Sequence, residues 1–382
     1  TIKLGRARIE NLNLISLESD TGPATHAAIA NLEIKGQPNE DKLALTLQAD
    51  YNGQPVTLSG KTGRLAAIFE HRPFPLQLTG ELAGAAVRID GAIEDVLYLQ
   101  GIDVDTRLSG NNFATLGPVL EVQLPETETF DIAGNFKGTA ESLGLKINGS
   151  LAGNSINLAV DGRIGNLIDF SGVDLKLKSS GKNLAVLRPV MGEGIPSTSE
   201  FEVEGHLTGS AEALSLDNAR AAAIHGSMHF TATGGIKDLI SFNGMDLQSR
   251  LTGKNFAELG PIIDVELPST DEFDIEGRLT GNADVMPIYD VQAMGRRGSM
   301  LISITGTVQD LSSMEGMDLQ SRLTGKNLVE FGEVIGVELP STEAFDIQGR
   351  LDGSTEKASL HNIRGSGRRG SLRLAVSGSV QD

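Results

Sequence analysis

A period of about 72 residues runs through this chain, and it decides what kind of fold the chain can adopt. Gly101-Ile102-Asp103, Gly172-Val173-Asp174, Gly244-Met245-Asp246 and Gly316-Met317-Asp318 open equivalent stretches, at intervals of 71, 72 and 72 residues. The last two stretches share the strings MDLQSRLTGKN, VELPST and FDI-x-GRL, and Gly306-Thr307-Val308-Gln309-Asp310 returns as Gly378-Ser379-Val380-Gln381-Asp382. Residues 1–90 hold a shorter, diverged version, with VTLSG at 56–60, LAAIFE at 65–70 and FPLQLTG at 74–80. The repeats are then 91–161, 162–233, 234–305 and 306–377, with 378–382 starting another. Such arrays stack elements that cannot bury their apolar faces alone. The 382 residues therefore read as about five repeats of one continuous array rather than two or three domains. The first residue is Thr1 and the last ones open a repeat, so the array is expected to belong to a longer protein.

Composition removes several functions. A formal net charge of −18 argues against a nucleic-acid partner, which needs clustered Lys and Arg. With no Cys, thiol catalysis, disulfides and thiolate metal sites are out. No run of eighteen apolar residues is present, so no helix of this sequence spans a bilayer.

Each repeat predicts four strands and one short helix. In the third, Asp246 to Gly253 is strand-like, and Asn255 caps a helix with Glu258 as its capping-box partner. Gly260-Pro261 bends or weakens that helix early. Asn327 and Glu330 take these roles in the fourth repeat; Asn112 and Asn183 are followed by Thr115 and Val186 where the Glu would be. After a Pro turn come three strands of strict period-two alternation. One face of the first of these carries Phe130, Ile132, Gly134 and Phe136; then Phe201, Val203, Gly205 and Leu207; then Phe273, Ile275, Gly277 and Leu279; then Phe345, Ile347, Gly349 and Leu351. The last strand gives Ile156, Leu158 and Val160; Met228, Phe230 and Ala232; Met300, Ile302 and Ile304; Leu372, Leu374 and Val376. The middle strand adds Leu143 and Leu145, Leu214 and Leu216, Met286 and Ile288, Ala358 and Leu360. The opposite face is polar, as in Asp274, Glu276, Arg278 and Thr280. Alternation of this kind means a sheet with one apolar and one wet face, and tight turns make neighbours antiparallel.

The fold class is therefore mostly β: a repetitive antiparallel sheet, advancing about 19 Å per four strands, with one short helix per repeat. Its apolar face exceeds what soluble chains leave open, and one short helix per repeat cannot cover it. Two solutions remain: a sheet folded over like a taco with a dry interior, or a groove whose floor takes a ligand.

The residues also resemble a known family. Ser180-Gly181-Lys182-Asn183-Leu184-Ala185-Val186-Leu187-Arg188-Pro189, then Phe201 to Gly209, then Ala213-Leu214-Ser215-Leu216-Asp217-Asn218, are similar to repeats of bacterial AsmA-family proteins. Ile9-Glu10-Asn11-Leu12-Asn13-Leu14 and Leu58-Ser59-Gly60-Lys61-Thr62-Gly63 fit as well. The resemblance implies a periplasmic protein, anchored to the inner membrane through a segment absent from this chain, with a long hydrophobic β-groove. Larger members such as TamB and YhdP are bridge-like proteins implicated in moving phospholipid toward the outer membrane. The implied partners are phospholipid or another acyl-chain lipid and membranes at the ends of the full-length protein. The alternative is a periplasmic scaffold or outer-membrane assembly factor with a dry β core.

No enzyme is expected: no Ser-His-Asp set, phosphate loop or recurring acid–base cluster stands out, and no cofactor or metal is called for. His225 and His229, four apart, would sit roughly 13 Å apart on one strand; a hairpin-tip pair is the bland reading. Arg296-Arg297-Gly298 and Arg368-Arg369-Gly370 are either solvated turn residues or contacts for anionic headgroups.

Overall fold

The computed structural model describes residues 5–17, 24–36, 42–120, 124, 126, 128–153, 155–188, 196–263, 266–282, 284–354 and 357–380. Twenty-two strands and a few short helices make up these residues, and the strands belong to one antiparallel sheet. The sheet is open: among the described residues Arg6–Leu17 pairs only with Ala24–Gly36, and Leu372–Val380 only with Ala358–Arg369.

The chain divides into two compact units, residues 1–197 with 207–212, and residues 198–206 with 213–382. Within the first, the strands from Arg6–Leu17 to Ser171–Gly181 each pair antiparallel with the next in chain order. Within the second, the strands from Leu214–His225 to Leu372–Val380 do the same. This chain-order pairing is what tight turns between alternating strands require.

The third repeat shows the local logic. Its four strands are Asn243–Gly253, Glu272–Gly281, Ile288–Arg297 and Met300–Asp310. Between the first two lies a 3-10 turn, Phe256–Leu259, continued by one helical turn, Gly260–Ile263. Pro261 has no N–H to extend that helix. In the fourth repeat Glu333 stands there instead, and Leu328–Ile335 runs as one eight-residue α-helix that ends at Gly336 with φ 69°. Asn112, Asn183, Asn255 and Asn327 all cap as expected, each side-chain oxygen accepting the N–H two residues on.

The capping box is a correction. Glu258 does not reach back to Asn255. Its carboxylate accepts the backbone N–H of Ser227 at 2.8 Å and the Ser227 hydroxyl at 2.9 Å, in the turn of the preceding hairpin. Glu330 does the same to Ser299 at 3.0 and 2.8 Å. An unpartnered turn N–H beside a hydroxyl is a better site for a carboxylate than one helix-start N–H. The end of the Leu-Pro-Ser-Thr turn has a job as well. Thr270 accepts from Phe256 N–H at 2.9 Å and donates to the Lys254 carbonyl at 2.8 Å; Thr342 repeats this with Leu328 and Lys326 at 2.9 and 3.0 Å.

The difference between intervals of 71 and 72 residues also has a structural cause. The middle strand of the first repeat, Ser142–Leu151, pairs with both neighbours without a break. The middle strands of the other three carry a β-bulge, one extra residue on one strand. Asn218, Asp290 and Asn362 sit at these bulges with φ of 50°, 53° and 54°, a region that Asn and Asp tolerate best among side-chain-bearing residues. In the strands just before Gln100–Gly110, Ser171–Gly181, Asn243–Gly253 and Glu315–Gly325, Gly91, Gly162, Gly234 and Gly306 have φ of 149° to 152°. A Cβ there would stand 2.0 to 2.2 Å from the carbonyl oxygen of Asp103, Asp174, Asp246 or Asp318, so only glycine fits.

His225 and His229 are not on one strand. They flank a two-residue turn, with His225 opposite Met228 and Ile224 opposite His229.

Candidate functional site

The registers place the apolar side chains in rows that cross the strands, and burial along these rows is uneven. In the first unit one margin holds Phe130, Leu151 and Ile156, all buried. The other margin holds Ile102, Val104, Leu143, Leu145, Ile164, Val173 and Leu175, also buried. Between them run two half-buried rows: Leu108, Ile132 and Leu158, then Ile147, Val160 and Leu177. In the second unit Phe230, Leu251, Ile275, Ala293 and Ile304 oppose one another across five successive strands, a line of about 19 Å at ordinary strand spacing. Ile302, Leu323 and Ile347 form the neighbouring row. Phe230 is 37% exposed, and Leu251, Ile275, Ala293 and Ile304 in its row are half-buried.

The two margins are covered for different reasons. On one side the short helices lie over the sheet: Phe113 packs edge-on against Phe130 at 5.3 Å between ring centres, and Phe256 against Phe273 at 5.2 Å. On the other side the four-residue turns fold inward. Leu99 and Leu167 pack against Ile102, Val104 and Leu143; Met314 packs against Ile288, Val291, Val308 and Met317. Leu99 and Met314 take φ of 50° and 54°, a conformation costing of order 1 kcal/mol or more for such residues. The buried contact holds them in it. The result is an apolar strip, open along its middle and closed along both sides.

The residues expected to line a groove divide accordingly. Phe130, Ile156, Phe201, Leu216, Met228, Phe273, Ile288, Met300 and Phe345 are buried. Ile132, Phe136, Leu158, Val160, Val203, Leu207, Leu214, Ile275, Leu279, Met286, Ile302, Ile304, Ile347, Leu351 and Leu360 are half-buried. Leu372, Leu374 and Val376 are exposed on a strand with one paired neighbour. Sequence reasoning placed the first strand of each repeat but did not count its leucines, Leu108, Leu177, Leu251 and Leu323, among the residues that line the strip. The alternation there is interrupted by Thr106, Ser249 and Ser321, whose hydroxyls donate to the carbonyls of Gly134, Gly277 and Gly349 at 3.4, 3.0 and 3.3 Å. With the donor satisfied inside the sheet, each hydroxyl sits in the apolar face at reduced cost.

The opposite face is a ladder of cross-strand ion pairs. Arg278 grips Asp246 through two bonds of 2.7 Å, and Arg350 grips Asp318 at 2.7 and 2.8 Å. Arg250 pairs with Asp274, Arg322 with Asp346 and Arg107 with Asp131 in the same diagonal manner. The guanidinium beside each of these aspartates holds its carboxyl below the usual range. Arg296 is paired with Glu272 at 2.7 Å, and Arg368 lies 3.8 Å from Glu343. Among the described residues no group of three or more His, Asp or Glu is placed to hold a metal ion, and no helix is long and apolar enough to cross a membrane.

Over 106 residues the chain is 32% identical to the AsmA family protein YhjG of Escherichia coli (strain K12). This distant, partial homology supports membership of the AsmA family. The match takes in 26% of this chain and 16% of that protein. No protein-family model matches the chain, and no solved structure does.

Proposed function

We propose that the apolar strip is the floor of a groove that holds the acyl chains of phospholipid or a similar lipid, while headgroups stay in water. The proposal extends to the whole repeat array as one conduit between inner and outer membrane, in a periplasmic protein anchored to the inner membrane outside this chain. One observation carries it: the middle of the apolar face is half-exposed over successive strands in each unit, while both margins are covered by the chain itself. A dry core would cover the middle first. The kinship with an AsmA-family protein supports the reading, and the open antiparallel sheet is compatible with it. Each methylene withdrawn from water onto the strip contributes about 0.8 kcal/mol. Because the strip offers similar apolar contacts from strand to strand, a chain sliding along it exchanges one set for another without a large barrier. Solvent extraction and native mass spectrometry of the purified protein provide the test. Co-purifying phospholipid, displaced by detergent, is expected; a lipid-free protein that takes up none from vesicles would instead indicate a scaffold.

A further inference from the structure

The ion-pair ladder of the wet face breaks down at one hairpin, Ala358–Arg369 with Leu372–Val380. Residues 358–380 contain four arginines, Arg364, Arg368, Arg369 and Arg373, and no Asp or Glu, in a chain whose net charge is −18. All four are exposed. Arg368 stands directly opposite Arg373, and Arg364, four residues before Arg368, shares their face. Like charges facing each other across a strand pair are destabilising, and the neighbouring carboxylates do little to relieve them. Glu343 lies 3.8 Å from Arg368, while Asp346 is taken by Arg322 and Asp318 by Arg350. Among the described residues Arg364, Arg369 and Arg373 have no ion-pair partner. The preceding hairpin, Ile288–Arg297 with Met300–Asp310, shows what the repeat itself requires. At the positions of Arg364, Arg368 and Arg373 it has Gln292, Arg296 and Leu301, and Arg296 is paired with Glu272 at 2.7 Å. The extra cations are therefore not needed to build the sheet.

We infer that this face of the hairpin docks on the anionic phosphate headgroups of a bilayer surface. A planar guanidinium fork meets phosphate oxygens two at a time, and all four cations are Arg rather than Lys. From Arg364 to Arg368 the patch runs about 13 Å along the strand. That exceeds the Debye length of about 8 Å at physiological ionic strength, so headgroups beneath the patch are attracted locally while the net charge of the chain is screened. Mobile headgroups can gather under so small a patch, whereas a stiff polyanion such as a nucleic acid would run on over a net acidic surface. The docking face lies on the side of the sheet opposite the apolar strip, and it does not depend on the strip's holding lipid.

Flotation of the full chain with lipid vesicles tests the docking face. Binding is expected to vesicles of phosphatidylcholine mixed with phosphatidylglycerol and not to phosphatidylcholine alone. It should fade as ionic strength approaches about 1 M, where the Debye length is about 3 Å. Each Arg at an anionic surface strengthens binding roughly fivefold, so Arg364→Gln, Arg368→Gln and Arg373→Gln combined should weaken it on the order of a hundredfold. These exposed substitutions remove a repulsion, so the melting temperature should not fall. Arg296→Gln, in the preceding hairpin, is the matched control and should bind like the parent. Equal binding by parent and triple variant, or indifference to phosphatidylglycerol, would overturn the docking face. Full displacement by inorganic phosphate at the same phosphate concentration would reduce it to a site for the free anion. Retention on polyglutamate without flotation would make the partner an acidic protein, and either result rejects the bilayer. Uptake of acyl chains by the strip does not select for headgroup charge. A parent that takes up phosphatidylcholine but shows no preference for phosphatidylglycerol vesicles would therefore sink the docking face and leave the groove reading standing.

Discussion

Ile275→Asp is the sharpest perturbation of the strip. Ile275 lies opposite Leu251 on one side and Ala293 on the other, in the middle of the open line and half-buried. A carboxylate there is still hydrated in the empty protein, so folding should survive, and circular dichroism should match the parent. With an acyl chain laid over it the carboxylate loses its water and has no cation beside it in the apolar row. An ionised group so placed protonates rather than remain charged. Taking up a proton at pH 7 against a reference pKa near 3.9 costs about 4 kcal/mol, at about 1.36 kcal/mol per pH unit. Some headgroup water will reach the site, so this is an upper bound; a loss of at least a hundredfold in lipid affinity is the expected result. The same arithmetic gives the signature. At pH 4.5 the protonation cost falls below about 1 kcal/mol, so binding by the variant should recover substantially on acidification. Ile275→Asn, neutral throughout, should show a smaller loss with no such recovery. Affinity can be read by fluorescent-phospholipid titration in the presence of a fixed detergent concentration. Parent-like binding by Ile275→Asp at pH 7 would refute the claim that lipid contacts this row. A loss that pH leaves untouched would point to distortion of the sheet instead.

How much of this was legible in the sequence differs from feature to feature, for physical reasons. Strand alternation was legible because burial on one face imposes a period of two wherever the sheet has one wet side, and Phe273-Ile275-Gly277-Leu279 shows it without interruption. The Asn caps were legible because a cap acts on its own next two residues. Glu258 and Glu330 were misread because a sequence window favours the partner three residues away over one 31 residues away. Only the hairpin geometry brings Ser227 and Ser299 to them. Leu251 and Leu323 were not counted as lining residues because Ser249 and Ser321 break the apolar pattern, and nothing local reveals that these hydroxyls donate to a neighbouring strand's carbonyl. The split into buried margins and an open middle was beyond reach. Phe273 and Ile275 look alike in the pattern, and the covering residue, Phe256, is placed by the fold. The single-residue difference between intervals was visible throughout, but its meaning as a bulge needed the register.

Three further outcomes follow from individual sites. Thr342→Val should destabilise the Leu328–Ile335 helix by about 1 to 3 kcal/mol, because it leaves the Leu328 N–H, now accepted at 2.9 Å, without a partner; native-state exchange of the Leu328–Gly332 amides measures this, and unchanged protection would contradict the role given to the hydroxyl. The Asp310 carboxyl accepts from the Ser313 and Ser312 hydroxyls and from the Ser312 N–H, and is drawn down from 3.8 to about 2. A depressed carboxyl stabilises the fold above its unfolded value and loses that contribution as pH falls through its folded one. The difference in melting temperature between the parent and Asp310→Asn should therefore be full at pH 5 and fade between about pH 4 and pH 2; a difference that persisted below that window would reject the assignment. Gly306→Ala is the most severe change. Its Cβ would lie 2.0 Å from the Asp318 carbonyl oxygen, with φ at 150°, so either the ladder between Met300–Asp310 and Glu315–Gly325 must part or the bulk of the strand must shift. Overpacking against side chains typically costs about 1 to 3 kcal/mol, and here the obstacle is backbone, which has no rotamer to yield. The cost should exceed that range. Gly378→Ala, on the strand where a Cβ meets nothing within 4 Å, is the matched control. If both substitutions lowered the melting temperature equally, the close strand approach inferred at Gly306 would be wrong.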